Sequence, residues 1–208
     1  MFTLSDILTG NPHAFLLNGS AAVYADLPFR QAQHDSRLCG PTDLFVALRG
    51  ARSDGHAFIP EVAHAGATGV LCNTPHPDAP ESFLQIIVPD VIKALQATAR
   101  SRVQRQPETR KIAITGSSGK TTTKEAIATV LSTMAPTLKT YASYNNELGY
   151  PLTLLRLEKQ EQFAVLEMGA EWVGELRGLC EACASPDWSV ITTVGAAHLK
   201  HFGSLENV

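Results

Sequence analysis

Residues 114 to 125 read ITGSSGKTTTKE. Two glycines, a lysine and a run of hydroxyl side chains at that spacing suit one task, the holding of a phosphate chain. Gly116 and Gly119 permit backbone conformations and close approaches denied to other residues. The free N–H groups of such a turn, and of the helix that follows it, converge on one spot that suits an anion. Lys120 would rest on the β- and γ-phosphates of a nucleotide, and Thr121 would offer its hydroxyl to Mg2+. Thr115, Gly116, Ser117, Ser118, Gly119, Lys120, Thr121 and Thr122 are therefore the candidate ATP-binding residues. One departure counts against the pattern. The longer form of this loop has a glycine five residues before its Gly-Lys pair, and Ile114 stands there.

The elements around the loop support the reading. KIAIT (111–115) has the look of a buried strand, and KTTTKEAIATVLSTM the look of a helix. LKTYA then reads as a strand and PLTLLRL as the start of a helix. FAVLEM (163–168) reads as a strand, VGELRGLCEACA as a helix, and WSVITTV (188–194) as a strand. Alternation of unbroken apolar strands with helices implies a parallel sheet covered on both faces. Ligands of such sheets gather beyond the carboxyl ends of the strands. Glu167, at the end of one strand, and His198, just past another, should therefore face the crevice that holds Lys120. Glu167 offers a hard oxygen ligand to Mg2+. His198 could be a further ligand or contact the other substrate. YNNELGYPLT (144–153) offers the amides of Asn145 and Asn146, although by residue type alone it reads as a capped turn before a helix.

The first hundred residues have a pattern of their own. TLSDIL opens like a short helix, with Thr3 as N-cap and Asp6 three residues on. DLFVAL (43–48), GVLC (69–72) and LQIIV (84–88) read as strands, AFIPEVAHAGA (57–67) as a helix. A helix starts at Pro89 and puts Val91, Ile92, Leu95, Ala99 and Val103 on one face. The polar stretch QRQPETRK marks a boundary, so two domains are expected, residues 1–107 and 108–208. Both are α/β, a small N-terminal one and a phosphate-loop domain on a parallel sheet.

Of the 208 residues 44% are apolar and 18% charged, which suits a globular core. A net charge of −3 argues against a general nucleic-acid binder. No apolar run reaches the roughly 18 residues of a membrane span, and the N-terminus lacks the pattern of a signal peptide. A cytoplasmic protein is expected, and its four cysteines are most simply reduced thiols. Cys180 and Cys183 form a CxxC followed by His198 and His201, which superficially resembles a zinc site. The segment between them holds a strand-like run and the histidines stand too close together, so two small apolar residues one helical turn apart is the better reading. His13, His34, His64 and His76 are read as surface residues.

Four segments in this order, TGSSGKTTTKE, YNNELGYPLTLLRL, AVLEMGAEWVGEL and PDWSVITTVGAAHLKHFGSLENV, resemble the Mur ligases of peptidoglycan synthesis. DSR (35–37), DLFVALRG (43–50) and DGHAFI (54–59) resemble the UDP-sugar-binding domain of that family. The resemblance covers nearly the whole chain. Within it, NNELGYPLTLL and MGAEWVGEL favour the branch that joins D-alanyl-D-alanine to UDP-N-acetylmuramoyl-tripeptide. It implies an ATP- and Mg2+-dependent ligase that works through an acyl phosphate, with Lys120, Glu167 and His198 catalytic and Thr121, Glu167 and His198 near metal. It further implies that Ser36, Arg37, Arg49, Asp54, His56, Asn145 and Asn146 contact the UDP-muramoyl peptide. A monomer with neither nucleic-acid nor membrane partner is implied too.

Members of the family have three domains, and the middle one breaks off here at Val208. The expectation is a fragment that alone binds at most the UDP-sugar portion well and does not ligate, with the family's carbamylated lysine, its adenine contacts and its C-terminal domain lying beyond it. Three rivals remain. One is the sibling ligase that adds the third amino acid. Another is a non-catalytic module that binds UDP-muramoyl ligands. The last is a general phosphate-loop NTPase.

Overall fold

The structure, a computed structural model, describes residues 1–19, 24–51, 53–196 and 199–204. It divides into two units, Met1–Arg102 and Val103–Val208. The division falls in the last turn of a helix, a few residues before the boundary expected at 107.

In unit 1, β1 (Phe2–Thr3) leads into α1 (Leu4–Gly10), and β2 (Phe15–Leu17), β3 (Pro28–Phe29) and β4 (Ala32–Gln33) follow. β5 (Leu44–Val46), α2 (Ile59–His64), β6 (Gly69–Cys72), β7 (Leu84–Ile87) and α3 (Val91–Gln104) complete the series. Thr3 N–H donates to the Asp6 carboxylate at 2.7 Å, so the expected cap opens α1. The sheet order is β2-β7-β6-β5-β4, parallel except where β2 pairs with β7. All four residues of β6 are buried, as an apolar strand inside a parallel sheet must be. Two of them, Val70 and Cys72, pack with Phe45, Ala47, Ile59 and Val62 into one core. The short strands between residues 15 and 33 carry too few residues for a period and were not legible in the sequence.

Unit 2 holds β8 (Arg110–Thr115), α4 (Lys120–Ser132), β9 (Thr137–Lys139) and α5 (Gly149–Leu154). β10 (Phe163–Glu167), α6 (Glu175–Ala182), β11 (Trp188–Ile191) and α7 (Leu199–Phe202) follow. The sheet order is β11-β8-β10-β9, parallel throughout. Ile112, Ile114 and Val165 of the central strands pack with Ala128 of α4. Two expectations need correcting. β9 and β11 are shorter than the apolar runs LKTYA and WSVITTV, because both runs turn away from the sheet to build loops at the strand ends. β11 is also not covered on both faces: it is an edge strand whose Trp188 and Ile191 are 55% and 64% exposed. Among the described residues no helix is long and apolar enough to cross a membrane.

Candidate functional site

β8 ends at Thr115, and the chain turns through Gly116 (φ 135°) and Gly119 (φ 81°) into α4. Ile114, where the longer loop pattern has glycine, is fully buried inside β8 and faces Glu167 in register, so the turn is made by Gly116 instead. A Cβ on Gly116 would stand 2.2 Å from Thr192 Oγ1. The loop is stitched to the segment after β11. Ser117 N–H donates to Thr193 O at 2.9 Å, and Ser118 N–H to Thr193 Oγ1 at 3.0 Å. The Thr192 hydroxyl donates to Ser118 O at 2.5 Å, and the Ser117 hydroxyl bonds Gly195.

Two of the loop amides expected to face an anion are therefore engaged within the protein. Thr123 N–H donates to Gly119 O and opens the helical ladder, so the amides of Lys120, Thr121 and Thr122 precede it. Those three amides are donors available to a phosphate. Lys120 Nζ donates to the Gly116 carbonyl. The cleft here has a volume of about 140 Å3, with Thr115, Gly116, Ser117, Lys120 and Thr193 on its polar side and Leu176 and Ile191 on the other.

At the end of β10 Glu167 is only 2% exposed, yet both its oxygens are bonded. Thr121 Oγ1 donates to Oε2 and Asn145 Nδ2 to Oε1, each at 2.9 Å. Thr121, Asn145 and Glu167, far apart in sequence, thus meet one turn from Lys120. Asn146 behaves otherwise. Its Oδ1 accepts from Gly149 N–H at 2.9 Å and caps α5, which is the bland reading of that loop. A carboxylate and a hydroxyl at this separation are hard donors of the kind Mg2+ takes together with substrate phosphates. His198 lies outside the described residues. His201 lies against Trp172 with ring centroids 4.7 Å apart and the rings tilted by 46°, and Cys180 and Cys183 are free thiols. Among the described residues no cluster of three His, Cys, Asp or Glu converges.

Among the described residues of unit 1, two recesses hold predicted site residues. The larger, of about 540 Å3, is lined by His34, Asp35, Ser36, Arg37, Gly50, Ser53 and Glu61. Asp35 caps the 3-10 turn Ser36–Leu38 by accepting from Arg37 N–H at 3.1 Å. The Arg37 guanidinium reaches back to the same carboxylate, Nε to Oδ1 at 2.8 Å and Nη2 to Oδ2 at 2.6 Å. Those bonds hold the Asp35 carboxyl down at about 2. Asp54 repeats the device two residues before His56, accepting from its N–H at 2.9 Å and from its ring Nδ1 at 2.6 Å. Arg49 Nε sits 3.3 Å from the other Asp54 oxygen. Arg49 and His56 line the smaller recess, of about 220 Å3, with Asn73 and Asp90. So Ser36 and Arg37 share one recess, Arg49 and His56 another, and Asp54 is their common partner rather than part of either wall.

His34 corrects the sequence reading. It is half-buried in the wall of the larger recess, and burial pushes its pKa down. His76 is half-buried as well, its backbone held by Gln85. Thr192, Thr193 and Lys124 were also missed. No local pattern marks them, because their partners lie on other strands.

Residues 114–208 match the family described as Mur ligase middle domain, and residues 29–103 that described as Mur ligase family, catalytic domain. The UDP-N-acetylmuramoyl-tripeptide–D-alanyl-D-alanine ligase of Bacillus subtilis is 41% identical over 84% of this chain and 38% of its own length. That of Escherichia coli is 38% identical over 99% of this chain and 42% of its own. The chain thus spans about two fifths of the length of the curated relatives it matches. Among solved structures, MurF from Acinetobacter baumannii matches 99% of this chain and 44% of its own, with a TM-score of 0.86 at 33% identity. MurF ligase from Thermotoga maritima in complex with ADP matches 88% of this chain and 42% of its own, with a TM-score of 0.75 at 35% identity.

Proposed function

The chain belongs to the Mur ligase family, and on that premise we propose that it serves ATP-dependent joining of D-alanyl-D-alanine to UDP-N-acetylmuramoyl-tripeptide in peptidoglycan precursor synthesis. Residues 1–107 take the UDP-muramoyl end and residues 108–208 take ATP. The peptide's terminal carboxylate attacks the γ-phosphorus. The bond from that phosphorus to the β,γ-bridging oxygen breaks, and ADP leaves with the electron pair. The amine of D-alanyl-D-alanine then adds to the acyl carbon of the acyl phosphate through a tetrahedral intermediate. Phosphate departs and the nitrogen releases its proton.

Such a transfer needs positioning and charge neutralisation more than covalent help from the protein. Lys120 and the amides of Lys120, Thr121 and Thr122 hold the β- and γ-phosphates. Thr121 and Glu167 would hold Mg2+, which neutralises phosphate charge, and Glu167 is already aimed by Asn145. Ser36 and Arg37 contact the UDP group, with Arg49 and His56, both held by Asp54, lining the second recess. Asn146 and His198 complete the substrate side. The enzyme acts as a monomer in the cytoplasm.

The observation that carries the reading is Glu167, buried and bonded to Thr121 just beyond a lysine-bearing loop. Titration calorimetry of the 208-residue chain tests it. Mg·ADP and UDP-muramoyl-tripeptide should each bind, the tripeptide form better than the dipeptide form. Lys120→Ala should weaken Mg·ADP by at least about tenfold, the worth of one charge-assisted hydrogen bond, and leave the UDP ligand alone. Unchanged Mg·ADP affinity in that variant defeats the nucleotide assignment, and a preference for the dipeptide form moves the chain to the sibling ligase.

A further inference from the structure

Lys124 stands one turn beyond Lys120, and none of the steps above uses it. Its side chain is 1% exposed. An ammonium taken out of water costs several kcal/mol unless it is paired and hydrogen-bonded, so a lysine buried this deeply must be held by its surroundings. Nζ donates to the carbonyls of Thr140 at 2.9 Å and Ala142 at 3.2 Å, and it lies 3.1 Å from Glu125 Oε1. Glu167 Oε2 is 3.9 Å away, near enough for charge and too far for a hydrogen bond.

The two carbonyls open the segment that reaches Glu167. The Thr140 hydroxyl accepts the Glu167 N–H at 2.9 Å. Ala142 takes φ 47°, a conformation costly for a residue with a side chain, and its carbonyl is turned onto Nζ. Three residues on, Asn145 accepts Gly169 N–H through its carbonyl at 2.8 Å and places its amide on Glu167 Oε1. Lys124 is thus the anchor on α4 for the turn that carries the Asn145 amide to the carboxylate.

We propose that Lys124 is a positioning residue: by pinning the Thr140 and Ala142 carbonyls beside Glu167, it fixes the aim of that carboxylate toward the metal-bound nucleotide. The metal part rests on the function proposed above, whereas the pinning itself does not. Two measurements keep them apart. In the free chain, amide exchange is followed in wild type and Lys124→Met. The Glu167 and Gly169 amides, which donate to Thr140 and Asn145, should exchange at least about tenfold faster in the variant, while central β8 amides hold. Equal rates overturn the proposal. Should Lys124→Met not fold, Lys124→Gln replaces it. Its shorter, neutral amide lacks the charge and the reach to hold both carbonyls, and normal Gly169 exchange and Mn·ADP affinity in it would then sink the idea.

The second measurement is a cycle of Lys124→Met and Glu167→Gln read as Mn·ADP affinity. Lys124→Met alone should cost about tenfold, as loss of a group that orients a metal ligand does. In the Glu167→Gln background it should cost almost nothing, because the residue it acts through is gone. Equal costs in both backgrounds would make Lys124 an ordinary structural lysine. If wild type binds no Mn·ADP, the nucleotide reading fails while the exchange result still decides the pinning.

Discussion

The two recesses of unit 1 and the loop cleft of unit 2 all carry charged side chains, and they are built in opposite ways. At the unit 1 recesses Arg37, Arg49 and His56 each meet a carboxylate within a few residues. Arg37 folds onto Asp35 and His56 onto Asp54, two residues apart in each case. In unit 2 the partners are remote. Thr121 and Glu167 are 46 residues apart, Ser117 and Gly195 78. The difference has a chemical consequence. The Arg37 cation is already matched by a carboxylate, so a diphosphate must compete with Asp35 for it. Lys120 donates to a neutral carbonyl, and among the described residues no carboxylate pairs with it. Its charge is open to an anion.

The sharpest way to break the contrast is Gly116→Ala. Alanine at φ 135° is strained by about 1 to 2 kcal/mol before any clash, and its Cβ would meet Thr192 Oγ1 at 2.2 Å. The Thr192 and Thr193 bonds to the loop must then shift together. Mg·ADP affinity should fall by at least about a hundredfold, since the lysine and three amides lose their common geometry. Calorimetry on folded variant is the check. Near-normal binding would mean that the loop is not tied to the segment after β11.

This contrast also sets what could be read from sequence. The loop was legible because Gly116, Gly119, Lys120 and Thr121 fall within six residues and the backbone does the work. β6 and β8 were legible because burial on both faces leaves a run of apolar residues. The Asp35 and Asp54 turns are equally local, yet only family resemblance pointed to them, since an Asp two residues before an Arg or His is common on surfaces. Lys124, Thr192 and the split between Asn145 and Asn146 were hidden. Sheet order decides which strand ends meet, and no spacing within the chain carries that order. The short β3 and β4 were hidden for a different reason, having two residues each and no period to show.

A smaller effect separates the units by stability. Asp43 is fully buried at the start of β5. Arg30 donates to it twice at 2.9 Å, Gln31 once at 3.1 Å and the Gly40 amide at 3.0 Å. Burial pulls its pKa up, but those donors outweigh it and the carboxyl stays below its ordinary range. Asp43→Asn leaves the donors facing a neutral amide and should cost about 2 kcal/mol, the scale of hydrogen bonds to a charged group. Thermal unfolding should show the loss while Mg·ADP affinity stays as in wild type. A fall in nucleotide affinity would end the separation between the two binding regions.

The smallest expected effect is a pH slope in unit 1. Burial lowers the His34 pKa from its ordinary 6.5, and Asp35 opposes the shift without cancelling it. A histidine with a depressed folded pKa gives up its proton more readily in the folded chain. Between the two pKa values the unfolded chain therefore holds more protons, and stability rises with pH across that window. The contribution is complete above 6.5 and shrinks as pH falls below it toward the folded value. His34→Gln removes the titration and keeps a polar side chain of similar reach. Melting curves between about pH 7 and pH 5 should show wild type losing roughly 2 °C more than the variant, a small shift because His34 is half in water. Parallel slopes would place the ring in solvent and return His34 to the surface residue its sequence suggests.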